Sequence, residues 1–285
     1  MGFIIKLGKR SFNLKSITVE PVMFLYMFGN FMLFITVQSL IYDKVCQQNF
    51  NETICTNLNN ESHKVEEEFV QKTTSHWLLY SNLAMGIPSL FSVILFIGPW
   101  GDRVGRKKPI LASLIGAVFA TTGSVLNAVY MLAPLPYLLI GSFLNGLCGG
   151  YIAALMSMYT YIAQVSINTN KTVKIGILES MVFLSGTLGT SISGVILDRT
   201  SYVFVFSLLT GTMVLAVIYT LLWVDNIIPE AIEDEDSQGN WCTMVTGTVK
   251  AVFHCAYNKR QDKNFLNIIM MVAVLFILML VTVGM

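Results

Sequence analysis

Glu179 is the residue most able to do chemistry in this chain. It is the one Asp, Glu, Lys, Arg or His within the second to sixth of the apolar stretches described below. It follows Lys174 by about five residues, which at 1.5 Å per residue puts it roughly 7 Å inside a bilayer. A carboxylate at that depth is costly unless it is paired, hydrated or protonated. The chemistry that suits it is proton exchange coupled to movement of a solute, and the alternative is a snorkelling pair with Lys171 or Lys174. Glu20, beside Pro21, reads instead as an acid at a helix N-terminus, where the helix dipole favours it.

A second constellation is the turn Gly98-Pro-Trp-Gly-Asp102-Arg103-Val-Gly105-Arg106-Lys107-Lys108. Gly98 ends one apolar stretch, and Gly105 permits a tight reversal into the next. Asp102 can accept backbone N–H groups or a guanidinium at a helix end. Arg103, Arg106, Lys107 and Lys108 suit an anionic inner leaflet. Charge alone would not need the spacing of the glycines and the Asp-Arg pair. That spacing recurs in part at Gly194-Val-Ile-Leu-Asp198-Arg199, three stretches later, as nested inverted repeats within a six-helix half would give.

No pattern points to enzymatic chemistry. A Gly-rich phosphate loop is missing, which disfavours ATP-driven pumping. His63, His76 and His254 lack metal-ligand spacing, so no metal site and no cofactor are expected. Cys148, Cys242 and Cys255 are expected to be free thiols. The net charge of +1 gives no reason to expect a nucleic-acid partner.

These residues need apolar helices to hold them. The 285 residues are 54% hydrophobic and 12% charged, with a mean hydropathy of +0.64. Soluble domains carry about a quarter charged residues, so much of this chain is expected to meet lipid. About 20 apolar residues cross a bilayer as a helix. Six such stretches fall at 19–41, 77–98, 110–131, 136–163, 175–197 and 202–224, and a seventh begins near Asn264. The fold expected is an all-α polytopic membrane protein. Its parts are an N-terminal segment 1–18, a six-helix bundle 19–224 with a loop 42–76, a linker 225–263 and a seventh helix 264–285. A seventh helix with nothing after it is a poor unit, so the chain is expected to be the N-terminal part of a longer protein. Gly146 and Gly150, and Gly186, Thr190 and Gly194, read as small-residue stripes for close helix packing. The acidic run 233–236 in the linker, with Lys259, Arg260 and Lys263 behind it, reads as solvated chain and a basic anchor.

Orientation follows from charge. With the N-terminus inside, fourteen of the eighteen Lys and Arg fall on inner segments, as the positive-inside rule requires. The loop 42–76 is then outside. It carries glycosylation sequons at Asn51 and Asn60 and the cysteines Cys46 and Cys55, features of an extracellular or lumenal face. A third sequon, at Asn170, lies on the inner side and is expected to stay bare.

The turn at 98–108 resembles the cytoplasmic loop between the second and third helices of the major facilitator superfamily. Further segments resemble solute carrier family 46: Thr18-Val-Glu20-Pro21, Ser75-His76-Trp77-Leu-Leu-Tyr80-Ser-Asn82, Gly98-Pro-Trp100-Gly-Asp102 and Ile177-Leu178-Glu179-Ser180. The resemblance implies the six-helix N-terminal half of a twelve-helix transporter, plus the start of helix seven. It implies that Asp102, Gly105 and Arg106 form a gate between two halves and that Glu179 carries the proton. It also implies that Cys55 pairs with a cysteine of a later loop, with Cys46 as the alternative within this chain.

The function expected is secondary active, proton-coupled transport of an organic solute, folate-like or another organic anion, by alternating access. The alternatives are an endolysosomal exporter of steroid conjugates or cell-wall fragments, or a non-transporting receptor or scaffold on the same fold. The partners expected are a small organic solute, protons and the lipid bilayer, and homo-oligomerisation is compatible with them. The plasma membrane is the first location expected and the endosome or lysosome membrane the second.

Overall fold

The computed structural model describes residues 4–7, 10–13, 18–58, 61–166, 171–226 and Met270. The chain divides into units of residues 1–235 and 236–285, and every helix below belongs to the first. The seventh stretch and the linker, apart from Met270 and the first residues of the linker, lie outside the described residues.

Among the described residues, six helices are long and apolar enough to cross a membrane. The first, α1 (Glu20–Asn49), begins with Pro21 in its first turn, and Glu20 accepts the backbone N–H of Thr18 at 2.7 Å. Proline suits that position because the N–H it lacks would have no partner there anyway. A short helix α2 (Glu52–Thr56) leads to α3 (Lys64–Ser92). Within the segment 42–76, α1 continues to Asn49 and α3 starts at Lys64, so both helices extend past the apolar stretches. Pro88 lies inside α3, and a π-helical segment follows at Val93–Ile97. Proline removes a helical hydrogen bond and loosens the turns around it. The second span closes with α4 (Gly98–Val104).

The third span is α5 (Lys107–Val129). The fourth is broken into α6 (Pro136–Leu147) and α7 (Gly150–Val165), where the sequence suggested one continuous helix. Gly149 at the break has φ +87° and Gly150 has φ +52°, conformations that cost a side-chain-bearing residue strain. The fifth and sixth spans are α8 (Lys171–Leu197) and α9 (Tyr202–Trp223). One small sheet precedes the bundle: β1 (Ile4–Leu7) pairs antiparallel with β2 (Arg10–Asn13), Ile4 opposite Asn13.

The principal helix pairs are α1 with α8, α3 with α6, α5 with α9, α1 with α9 and α5 with α6. Exchanging spans one and four, two and five, and three and six maps this set onto itself. Such invariance is what two related three-helix units would produce. The core has two layers, one at each end of the bundle. Met23, Ile110, Met158 and Leu178 belong to the layer near the 98–106 turn, and Ile41, Val45, Val70 and Phe206 to the layer near α2. Large apolar side chains such as Phe183, Leu215 and Leu222 stay exposed on the helix surfaces, as a lipid-facing surface allows.

The close approaches differ from the stripes expected in α8. A Cβ on Gly189 would lie 2.9 Å from the carbonyl oxygen of Phe28, and one on Gly186 3.2 Å from the Phe31 ring. Ser193 meets Thr36 hydroxyl to hydroxyl at 3.1 Å. The packed face is thus Gly186, Gly189 and Ser193, whereas Gly194 faces open space and Thr190 is exposed. Gly146 does pack tightly, since its Cβ would meet the Met85 carbonyl oxygen at 2.4 Å.

Candidate functional site

Glu179 lies on the exposed face of α8, and its Oε2 accepts a hydrogen bond from the Tyr159 hydroxyl on α7. The partner is a phenol from the neighbouring helix, neither Lys171 nor Lys174. A phenol donates one hydrogen bond and carries no charge to offset that of a carboxylate. Tyr159 gave no signal in the sequence, because helical periodicity says nothing of which helices become neighbours.

The turn at 98–106 and the start of α5 are tied to α9 and to Asn226 just past its end. Lys107 Nζ donates to the Leu221 carbonyl at 2.9 Å, and Asn226 Nδ2 donates to the Val104 carbonyl at 2.9 Å. A cation on the last carbonyls of a helix suits the helix dipole. Gly105 reverses the chain with φ +90°. Arg106 is buried, 5% exposed, and a Cβ on Gly101 would lie 3.0 Å from its Nη1. Gly101 therefore makes room for the guanidinium. Asp102 and Arg103 lie on α4, and their side chains fall outside the described part. Glu179 and the turn thus engage different neighbours, α7 and α9, within one end of the bundle.

A cavity of about 140 Å³ lies between α1, α3, α5 and α6, lined by Asn30, Ser81, Asn82, Ser124, Ser142 and Asn145 among apolar neighbours. Ser81 and Ser142 share a hydrogen bond at 2.8 Å. Asn145 is 4% exposed, and its Oδ1 has no hydrogen-bond partner among the described residues. A buried acceptor without a partner costs about 1–3 kcal/mol. Beside this cavity, Ser89 donates to the Gly149 carbonyl at 2.6 Å. That bond satisfies the backbone freed by the break between α6 and α7. A Cβ on Gly149 would lie 2.2 Å from Ile97 Cδ1, so the break packs on the π-helical segment. The three asparagines were visible in the sequence as amides inside apolar stretches, yet only the fold gathers them.

At the opposite end, Cys46 and Cys55 form a disulfide with Cα atoms 5.8 Å apart. Asn51 is exposed at the start of α2, and Asn60 lies outside the described residues. Lys44, read from sequence as part of a loop, is 1% exposed within α1. Its Nζ donates to Tyr130 O at 3.2 Å, Ala133 O at 3.4 Å and Asn127 Oδ1 at 3.4 Å. The ammonium ties the end of α1 to the end of α5. Among the described residues, no three His, Cys, Asp or Glu side chains converge on a metal site.

This geometry defines a multi-pass helical membrane protein with a polar cavity and a carboxylate on its fifth candidate span. The Major Facilitator Superfamily profile matches residues 19–285, and the chain belongs to that superfamily. Its relatives include solute carrier family 46. The proton-coupled folate transporter of Bos taurus is 28% identical over 222 residues, 74% of this chain and 46% of the relative. The lysosomal proton-coupled steroid conjugate and bile acid symporter of Gallus gallus is 28% identical over 226 residues, 75% of this chain and 48% of the relative. Solute carrier family 46 member 2 of Canis lupus familiaris is 28% identical over 128 residues, 45% of this chain and 26% of the relative. The chain spans about half the length of the first two. These relatives are transporters by name, not enzymes.

Proposed function

We propose that this chain forms the N-terminal half of a proton-coupled secondary transporter of an organic solute. The observation that carries the reading is Glu179, an intramembrane carboxylate whose described partner is a neutral phenol. Such a group can bind and release a proton as the protein alternates between its two accesses. The small polar cavity around Asn145 is this half's share of the solute site. Residues 19–224 are the bundle, 225–263 the linker and 264–285 the first helix of the second half. Asp102, Gly105 and Arg106 form the gate against that half.

The N-terminus is cytoplasmic and the disulfide end faces outside, with glycans on Asn51 and Asn60. The plasma membrane is the first location, with a folate-like or other organic anion as the solute. A second reading, a steroid-conjugate transporter of the endosome or lysosome, is favoured by the word lysosomal in the name of one relative. The test is uptake by the full-length protein at acid and neutral pH, with Glu179→Gln beside it. Acid stimulation should vanish in the variant, and its full retention would refute the coupling role.

A further inference from the structure

A groove of about 500 Å³ runs along the seam between α5 and α6, and it shares no lining residue with the small polar cavity. Its floor is made by glycines. A Cβ on Gly123 of α5 would lie 3.5 Å from the Gly141 Cα of α6, and one on Gly141 would lie 3.5 Å from the Ala120 Cα. Backbones this close leave a flat strip with no side chain standing on it. The walls are apolar and exposed: Phe119 and Leu126 on α5, Ile140 and Leu144 on α6.

Polarity is concentrated at one end. Tyr130 and Tyr137 flank the turn joining the two helices, and both are exposed. Asn127 and Ala133 also reach the groove there. The Asn127 Oδ1 and the carbonyls of Tyr130 and Ala133, however, already accept from the Lys44 ammonium. What this end offers is therefore two phenols, and no Lys, Arg, His, Asp or Glu lines the groove. Deeper in, Thr122 is the one hydroxyl among the walls. From Phe119 to Tyr130 is about 17 Å at 1.5 Å per residue, and one leaflet of bilayer hydrocarbon is about 15 Å deep.

We propose that this groove binds a sterol from the leaflet at the disulfide end, its rings on the glycine floor and its hydroxyl between the two phenols. A sterol is a rigid, flat hydrocarbon, one leaflet long, with a single neutral hydroxyl. It matches the groove in length, in flatness and in having polarity at one end only. A phospholipid would bring a phosphate, for which the groove holds no cation, and flexible chains that lose more freedom on being ordered. The occupant is a lipid and not the transported solute. The inference needs only that these helices span a bilayer, so it stands apart from the proton-coupling reading.

The experiment places the full chain in phosphatidylcholine nanodiscs with a photoreactive, diazirine-bearing cholesterol and maps the adducts by peptide mass spectrometry. Adducts should gather on residues 119–144 and decline when unlabelled cholesterol is added. Ile140→Trp, at an exposed wall position, should fill the groove and lower these adducts, whereas Phe183→Trp, at an exposed position of α8 outside the groove, should not. Tyr130→Phe combined with Tyr137→Phe should raise the cholesterol needed for half-competition about fivefold, the scale of one neutral hydrogen bond. Adducts spread evenly over the spans would show general lipid contact only. Equal labelling of 119–144 by a photoreactive phosphatidylcholine would assign the groove to acyl chains, and absence of adducts there would mean that another copy or chain segment covers this face. Each of these overturns the proposal, and an unchanged result in Ile140→Trp or in the double variant would do the same.

Discussion

The hydroxyl of Tyr159 on α7 donates to Glu179 Oε2 on α8, so the one acidic side chain inside the fifth span is held by the second half of the broken fourth span. Any change in the proton on Glu179 acts directly on the contact between these helices. Tyr159→Phe leaves the carboxylate but removes the donor that positions it. It should retain acid stimulation while lowering acid-driven uptake roughly tenfold, the scale of a hydrogen bond to a charged group. Glu179→Gln should remove the stimulation itself. Uptake measured across pH for both variants separates the roles.

Lys44 is expected to be structural. Lys44→Met removes the donor from Asn127 and from the carbonyls of Tyr130 and Ala133. Tyr130 O keeps the Ala133 N–H and Ala133 O keeps Gln48, but Asn127 Oδ1 is left buried without its donor, at a cost of about 1–3 kcal/mol. The variant should melt at a lower temperature in nanodiscs than the parent chain. Lys44→Arg, which keeps the charge and donors, should lose less.

Gly189 and Gly194 lie on the same helix but face different surroundings. Gly189→Ala would bring a Cβ to 2.9 Å from the Phe28 carbonyl and push α1 from α8. A loss of about 1–3 kcal/mol is expected from such overpacking. Gly194→Ala meets nothing within 4 Å and should be neutral or slightly stabilising. Thermal melts of the two variants make the comparison.

The break in the fourth span is expected to be sensitive at Gly149. Gly149→Ala combines a positive φ with a Cβ 2.2 Å from Ile97 Cδ1. It should lower stability more than Ser89→Ala, which forfeits one hydrogen bond to the Gly149 carbonyl, worth about 0.5–1.5 kcal/mol. The rank order of their melting temperatures checks this.

Glycosylation tests the orientation. Asn51 is exposed beside the disulfide. Asn51→Gln should remove one glycan, visible as a faster-migrating band that enzymatic deglycosylation of the parent reproduces. Asn170→Gln should leave migration unchanged.

The sequence by itself determined the class of protein and the number and order of its spans among the described residues. It could do so because a bilayer imposes one simple demand, about 20 apolar residues per crossing, that composition satisfies locally. The 98–108 motif and Glu179 were legible for the same reason: charge stands out against an apolar background. Only the tertiary structure decided which polar groups meet. Tyr159 reaches Glu179, Asn145 joins Asn30 and Asn82, and Lys44 leaves its presumed loop to bind the end of α5, because helices remote in sequence pack side by side. The break at Gly149 was likewise hidden. A pair of glycines in an apolar run fits an unbroken helix as well as a broken one, and Ser89 on a neighbouring helix supplies the hydrogen bond that lets the chain open there.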